Sequence, residues 1–560
     1  MVKKPVPDFK EVKMESNNQK KIAYFCMEYG IDESLPLYAG GLGILAGDIL
    51  KSAHDKQQPI IGIGIKWWQD YTTQLIDEET GYPYDVFPVH ELDFLEDTGI
   101  TIHVNINGNR IPCQIFKVTE FGNAPLYLLD TGHPDSEYGW ITDKLYSGNK
   151  NTRIAQEILL GIGGVKVINK LGIEIDKYHF NEGHAAFAGL ELIRNTMEKE
   201  NIKFKEALSK VKNQIVFTTH TPVKAGNEAH NIDRLINMGA NNGFSYNELK
   251  MIGGDPFNMT AACLRMSSIA NGVSKLHGRT AQNMWNDLDN SAPIISITNG
   301  VHKNTWQDED IRKGIEQKDN IWETHIDLKK EMINFIEENT GAKLNQENLI
   351  IGFARRAAPY KRSELIFRDT EQIKEYLLNG KLQLVFSGKA HPKDSFGKET
   401  VAKLVEMDQK YKNSVVFLEN YNMNIAKYLT RGCDVWLNNP RRPLEASGTS
   451  GMKAAMNGVL NLSVMDGWVA EGLNHGSTGW LLDEVFPELN DSLGEDEKDL
   501  RALYKIIREN VIPLYYENRE KWIEMMYSSI EMAIYDFSAE RMLGEYYDRM
   551  YARKMEPVGV

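Results

Sequence analysis

The chain has 560 residues, and at about 100–200 residues per domain it divides into two large domains or three smaller ones. Apolar residues at 42% and charged residues at 25% place it among ordinary globular proteins. Lys and Arg number 64 against 78 Asp and Glu, a net charge of −14, which excludes a nucleic-acid or anionic-membrane binder overall and requires any anion site to gather its cations locally.

Residues 1–20 are polar and lack the apolar stretch of a secretory signal, and no apolar run approaches the ~20 residues of a membrane helix, so the cytoplasm is the expected location. Strands are predicted at Lys21–Met27, Pro59–Ile65, Thr101–Ile106, Ile111–Phe116 and Pro125–Leu129, with a hairpin turn in the run Ile106-Asn-Gly-Asn-Arg110. A helical pattern covers Arg153–Leu171. Strands return at Tyr178–Phe180, Ile215–Thr219 and Pro293–Ile297. Beyond residue 300 the alternation is cleaner, with strands at Leu349–Phe353, Leu382–Phe386, Val415–Leu418, Asp434–Leu437 and Val459–Ser463, most of them separated by helical periodicity. Short apolar strands alternating with helices imply buried parallel sheets. The fold class is therefore α/β, with two doubly wound Rossmann-like domains expected over 1–299 and 300–535. A C-terminal helical segment over 536–560 has Ser538 as its N-cap and could cross back to the first domain. The acidic stretch Asp491–Asp499 reads as a surface loop. Cys26, Cys113, Cys263 and Cys433 are far apart and suggest neither a zinc site nor a disulfide framework, so no metal is expected. The 10 Trp and 24 Tyr suit stacking on sugar rings, although most such residues build cores.

In doubly wound sheets, ligands bind beyond the carboxyl ends of the strands. Three segments stand there. Ala39-Gly-Gly-Leu-Gly-Ile-Leu-Ala-Gly-Asp48 follows the first strand and opens a helix, where glycines bring backbone N–H groups close to an anion. It is not a dinucleotide fingerprint, because Gly47 is one position late after Gly41 and Gly43. Gly352-Phe-Ala-Arg-Arg-Ala-Ala-Pro-Tyr-Lys-Arg362 crowds Arg355, Arg356, Lys361 and Arg362 at a strand end, and such cations repel unless an anion joins them. Asn438-Asn-Pro-Arg-Arg-Pro-Leu-Glu-Ala-Ser-Gly-Thr-Ser-Gly-Met-Lys453 follows another strand. Its Ser447–Gly451 run can cradle a phosphate, and Lys453 beside it could form a Schiff base with a phosphorylated aldehyde cofactor. Taken singly, these segments also fit a structural turn, a solvated basic face and an ordinary capped helix.

Together they carry a resemblance. EASGTSGMK resembles the pyridoxal-phosphate lysine motif of the glycogen and α-glucan phosphorylases, RRAAPYKR their phosphate-binding segment, and AGGLG their glycine loop. TNGVHKNTW at Thr298–Trp306, HFNEGHAAF at His179 and FTTHTPV around His220 resemble three further segments, all in the family's order. The resemblance implies a glycosyltransferase fold of the two-lobed GT-B type and the cofactor pyridoxal 5′-phosphate on Lys453. Thr449, Ser450, Gly451 and Arg355 would hold the cofactor phosphate, with Tyr421, Asn422 and Met423 along the cofactor. Arg356, Lys361 and the backbone of Gly41 would hold inorganic phosphate. Gly40, Leu42, Asn299, Glu445, Ser447, Gly448 and His220 would surround the glucosyl unit. His179 and His184, five apart, read as structural. Asn422 stands where many relatives have an arginine. With only residues 1–20 before the first strand, the chain resembles the short microbial branch, and regulation by phosphorylation or nucleotides is not carried over. Members are commonly homodimers, but no interface is legible in the sequence.

The implied reaction is phosphorolysis of an α-glucan (maltodextrin, glycogen or starch), in which phosphate does the work that two carboxylates do in glycosidases. A nucleotide-sugar glucan synthase on the same fold is the nearest rival, but it needs no Schiff-base lysine. A non-catalytic glucan-binding protein would account for the aromatics but not for the basic loop and Lys453.

Overall fold

A computed structural model describes residues 19–146, 148–317, 320–482 and 492–552. Its first sheet has nine strands: β1 (Ile22–Phe25), β2 (Ile60–Ile65), β3 (Glu96–Ile106), β4 (Asn109–Val118), β5 (Leu126–Asp130), β6 (Lys177–Asn181), β7 (Ile215–Thr218), β8 (Ile269–Gly272) and β9 (Ile294–Ser296). Their order is β9-β8-β7-β6-β1-β2-β5-β4-β3. The sheet is parallel from β9 to β5, and β4 and β3 add antiparallel. The β3–β4 connection turns at Asn107 and Gly108, both with positive φ, as a two-residue hairpin requires. The second sheet is wholly parallel, with β10 (Leu349–Ala354), β11 (Leu382–Ser387), β12 (Val415–Leu418), β13 (Val435–Asn438), β14 (Leu460–Ser463) and β15 (Gly479–Leu481) in the order β12-β11-β10-β13-β14-β15. β10 is buried along its whole length, which is why LIIGFA is a continuous apolar run rather than an alternating one.

Strand order reverses beside β1, between β2 and β6, and beside β10, between β11 and β13. The loops leaving β1, β6, β10 and β13 therefore open at the two switch points. α1 (Gly41–Asp55) follows β1, α2 (Met423–Gly432) follows β12, and α3 (Ser450–Met456) follows β13. The carboxyl edges of the two sheets meet. Ser274 Oγ donates to the Ala446 carbonyl at 2.7 Å, the Met423 N–H to Tyr38 Oη and Glu33 Oε2 at 3.0 Å each, and Lys389 Nζ to the Thr72 carbonyl at 2.8 Å. The first sheet has one apolar core, the second has one on each face, and a further cluster containing Ile44, Trp306, Met423, Met452 and Trp468 lies where the sheets join.

Two strands of these sheets escape the sequence reading, β8 and β15, as do a hairpin formed by Thr73–Ile76 and Pro83–Val86 and a short antiparallel pairing of Ala229–His230 with Phe257–Asn258. β8 reads Ile-Ala-Asn-Gly, too short and too weakly apolar to stand out. The acidic stretch requires a correction. It is not a surface loop: Ser492–Ile506 forms a helix, α4, in which Asp496 and Asp499 are buried. Arg362 donates to Asp496 at 2.9 Å and to Asp499 at 2.6 Å, and Arg442 donates to Asp499 at 2.6 Å. Asp491 lies outside the described residues. Near the chain end, Ser538 caps α5 (Ala539–Tyr546) by accepting from the Arg541 N–H, and α5 packs into the core of the first sheet. Gly300 makes this crossing possible. A side chain there would strike the Ser538 carbonyl, and the neighbouring Val301 exchanges backbone hydrogen bonds with Phe537 and Ala539 at 2.9 Å.

Candidate active site

The glycine loop is held from below. Glu28, just past β1 and 3% exposed, accepts from the Ala39 N–H at 2.7 Å, the Gly40 N–H at 3.1 Å and Tyr146 Oη at 2.7 Å. Burial raises its carboxyl above the ordinary range, opposed by these hydrogen bonds and by the Arg356 charge. Gly40 and Gly41 begin α1 with open space where a side chain would stand, and Leu42 beside them is partly exposed.

The basic loop after β10 splits three ways. Arg355 donates to Asn438 and, at 2.6 Å, to Glu445, while its Nε is buried without a partner. Lys361 is buried against the same Glu445 oxygen. Arg356 is exposed and has neither an ion pair nor a hydrogen bond among the described residues. Arg362, counted among the basic cluster in the sequence, is instead consumed by α4. Burial opposes the charge of Glu445, but Arg355 and Lys361 hold its carboxyl down to about 2. Its N–H is fixed by Asp466 Oδ2 at 2.9 Å.

Lys453 lies in α3, 5% exposed, with Nζ 3.4 Å from the centroid of the Trp306 ring. Burial pushes its amine down to about 8, and the Asp48 carboxylate resists that shift. The surrounding polar atoms vary in their partners. Thr449 precedes the helix and its carbonyl accepts from the Lys453 N–H at 3.3 Å, Ser450 Oγ accepts from Trp436 Nε1 at 3.2 Å, and Gly451 packs tightly on Asn461 and Trp468. Ser447 Oγ and Asn299 Oδ1 are buried and unpartnered, and Gly448 has φ +85° beside the Glu445 side chain. Tyr421 is partly buried, and Asn422 caps α2 by accepting from the Ile425 N–H at 2.9 Å.

On the first lobe, His220 donates through Nε2 to Asn181 Oδ1 at 2.6 Å, and burial pushes its ring down to about 3, so it is neutral. Glu182, at positive φ after β6, accepts from the His220 N–H at 2.9 Å and Thr221 Oγ1 at 2.7 Å. His179 lies in the core between Tyr551 Oη and Thr218 Oγ1, 2.7 Å from each. Glu157, Glu228 and His230 form the one cluster with metal-like spacing among the described residues. Arg153 lies 3.0 Å from Glu228 and 3.4 Å from Glu157, supplying the positive charge a cation would bring.

A profile of the family described as Carbohydrate phosphorylase matches residues 309–475. The maltodextrin phosphorylase of Thermococcus litoralis is 40% identical over 96% of this chain and 71% of its own length. The chain belongs to the carbohydrate phosphorylase family. Similarity extends to the glycogen phosphorylase of Aquifex aeolicus, 33% identical over 98% of this chain and 88% of its own, and to that of Mycobacterium tuberculosis, 35% identical over 95% and 70%. Carbohydrate phosphorylases generally depend on pyridoxal phosphate, and the junction between the lobes fits that group. It offers a buried lysine with a depressed amine, unpartnered polar atoms on Arg355, Ser447 and Asn299, and open space over Gly40 and Gly41. Sequence reasoning placed Trp306 in a segment that resembles the family's domain-junction motif but gave it no role, and it gave no role at this phosphorylase junction to Glu28, Asp48, Asn181, Glu182 and Asp466. Asp48 carried the clearest signal, an acid within the apolar run Ile44–Leu50.

Proposed function

We propose that this phosphorylase cleaves the terminal α-1,4 bond of a glucan with inorganic phosphate and releases α-D-glucose 1-phosphate with retention. The observation that carries the reading is the convergence of a buried, low-pKa lysine, an unpaired arginine and an open glycine loop at one junction. Lys453 would hold pyridoxal phosphate covalently, with Thr449, Ser450, Gly451 and Arg355 about its phosphate and Tyr421, Asn422 and Met423 along its ring. Bound there, the cofactor would supply a phosphate whose second pKa of about 6 suits proton exchange at neutral pH.

Arg356 and the start of α1 at Gly41 attract the substrate phosphate, and Lys361 joins them by exchanging Glu445 for it. Glu445, whose contacts with Arg355 and Lys361 are both on Oε2, accepts from a glucosyl hydroxyl through Oε1, beside Ser447, Asn299 and the backbone of Gly40, Leu42 and Gly448. His220, with Nε2 donating to Asn181, has Nδ1 as an acceptor for another hydroxyl. The substrate phosphate gives its proton to the leaving glycosidic oxygen. That bond breaks, and a phosphate oxygen bonds to the anomeric carbon on the same face. The cations keep the two anions close while positive charge develops on the sugar.

The domains of this reading are 1–299, 300–535 and a C-terminal segment over 536–560, and the two sheet orders and separate cores support the first division. A cytoplasmic homodimer acting on maltodextrin, glycogen or starch completes it. Among the described residues no helix is long and apolar enough to cross a membrane. Borohydride reduction of the purified protein followed by peptide mapping tests the reading: a pyridoxyl group on the Lys453 peptide is expected, and an unlabelled Lys453 contradicts it.

A further inference from the structure

Asp48 lies midway along α1, 1% exposed, in a turn otherwise made of apolar residues. Both of its carboxylate oxygens accept from Trp306 Nε1 at 3.0 Å. The face of that indole carries Lys453 Nζ, 3.4 Å from the ring centroid. Trp306 is itself tied to the lysine's helix: Asn457 Nδ2 donates to the Trp306 carbonyl at 3.0 Å and to the Lys453 carbonyl at 2.9 Å, and Gln307 donates to the Met456 carbonyl at 2.8 Å. The first lobe, the segment joining the lobes and the second lobe thus meet in three side chains.

We propose that Asp48 is a positioning residue for Lys453, acting across the lobe junction by fixing the Trp306 ring under Nζ and by supplying the carboxylate that balances the amine. The second part rests on the reading of Lys453 as the cofactor lysine, but the coupling itself exists without cofactor. The other charged groups are accounted for. Lys427 on α2 adds a like charge to Lys453, while Lys51 on α1 and His302 of the joining segment face Asp48. Removing the Asp48 charge leaves Lys453 with burial and Lys427, both favouring the neutral amine. The indole N–H still finds an acceptor in Asp48→Asn, so the ring stays in place.

The test is competitive acetylation of Lys453 in the full chain freed of cofactor, read by mass spectrometry against pH, with thermal melting as the check on folding. In Asp48→Asn the labelling midpoint is expected to fall by about one pH unit or more, the effect of losing a nearby opposite charge. Asp48→Glu should return it toward the parent value. Trp306→Phe, which keeps a ring under Nζ but removes the N–H that supports the carboxylate, should move it in the same direction as Asp48→Asn. An unchanged midpoint in either folded variant, Asp48→Asn or Trp306→Phe, overturns the proposal. A shifted midpoint in a protein that takes up no pyridoxal phosphate would retain the coupling and reject the cofactor reading.

Discussion

Arg356 and Lys361 carry the same charge in one loop, yet their replacement should have different consequences. Arg356 has no partner among the described residues, so Arg356→Met removes a cation without stranding an acid. If it makes two charge-assisted hydrogen bonds to phosphate at about 1.5 kcal/mol each, about 3 kcal/mol is lost. At about 1.4 kcal/mol per decade, the KM for phosphate rises roughly a hundredfold. The melting temperature should change little, because Arg356 forms no ion pair and is tied to the buried Glu28 carboxylate only through its charge. Lys361→Met instead takes one of two cations from the buried Glu445 carboxylate. Stripping a buried ion of its partner costs about 3–5 kcal/mol, and with Arg355 still in contact the loss should fall below that range. Glucose 1-phosphate release at saturating maltoheptaose across a phosphate titration, with calorimetric melting of each variant, separates the two effects. An unchanged phosphate KM in folded Arg356→Met would refute the assignment, as would a larger stability loss there than in Lys361→Met.

Arg362→Met should behave oppositely to Arg356→Met. It takes one cation from each of buried Asp496 and Asp499, which keep Arg368, Arg441 and Arg442, so stability in a denaturant titration should fall by less than the about 3–5 kcal/mol of a fully stripped buried ion, while the phosphate KM of the folded fraction stays unchanged. Asn422→Ala should cost about 1 kcal/mol of stability in the same assay through loss of the α2 cap. His179, fully buried, has its ring pushed down from 6.5 to about 3. The unfolded chain takes up its proton first, so this stability is complete above pH 6.5 and is lost as pH falls toward 3, at about 1.4 kcal/mol per pH unit. Calorimetry between pH 7 and 4 should show a slope that His179→Gln reduces by one proton.

What was legible in the sequence divides along physical lines. The strands of the second sheet were readable because β10 to β14 are buried on both faces and need unbroken apolar runs. The hairpin at Asn107-Gly108 was readable because its positive φ angles call for those residue types. Loops at the switch points carried enough glycine and basic residues to mark the junction. The partners of those residues were not readable. That Lys361 and Arg355 share Glu445 while Arg356 stands alone depends on which side of the loop each points to, across more than 80 positions of sequence. The acidic run was misread for the same reason. Asp496 and Asp499 look solvated until Arg362 and Arg442 are brought against them by the fold. Glu28 and Asp48 act through backbone amides and an indole, contacts that leave no spacing pattern.

The most direct measurement is to incubate the purified, cofactor-loaded protein with a maltodextrin and inorganic phosphate and to assay both glucose 1-phosphate and free glucose, alongside Lys453→Ala. The account predicts that glucose 1-phosphate appears, that it depends on phosphate, and that the variant loses nearly all of it. Free glucose without glucose 1-phosphate, or full phosphorolysis by Lys453→Ala, would contradict it.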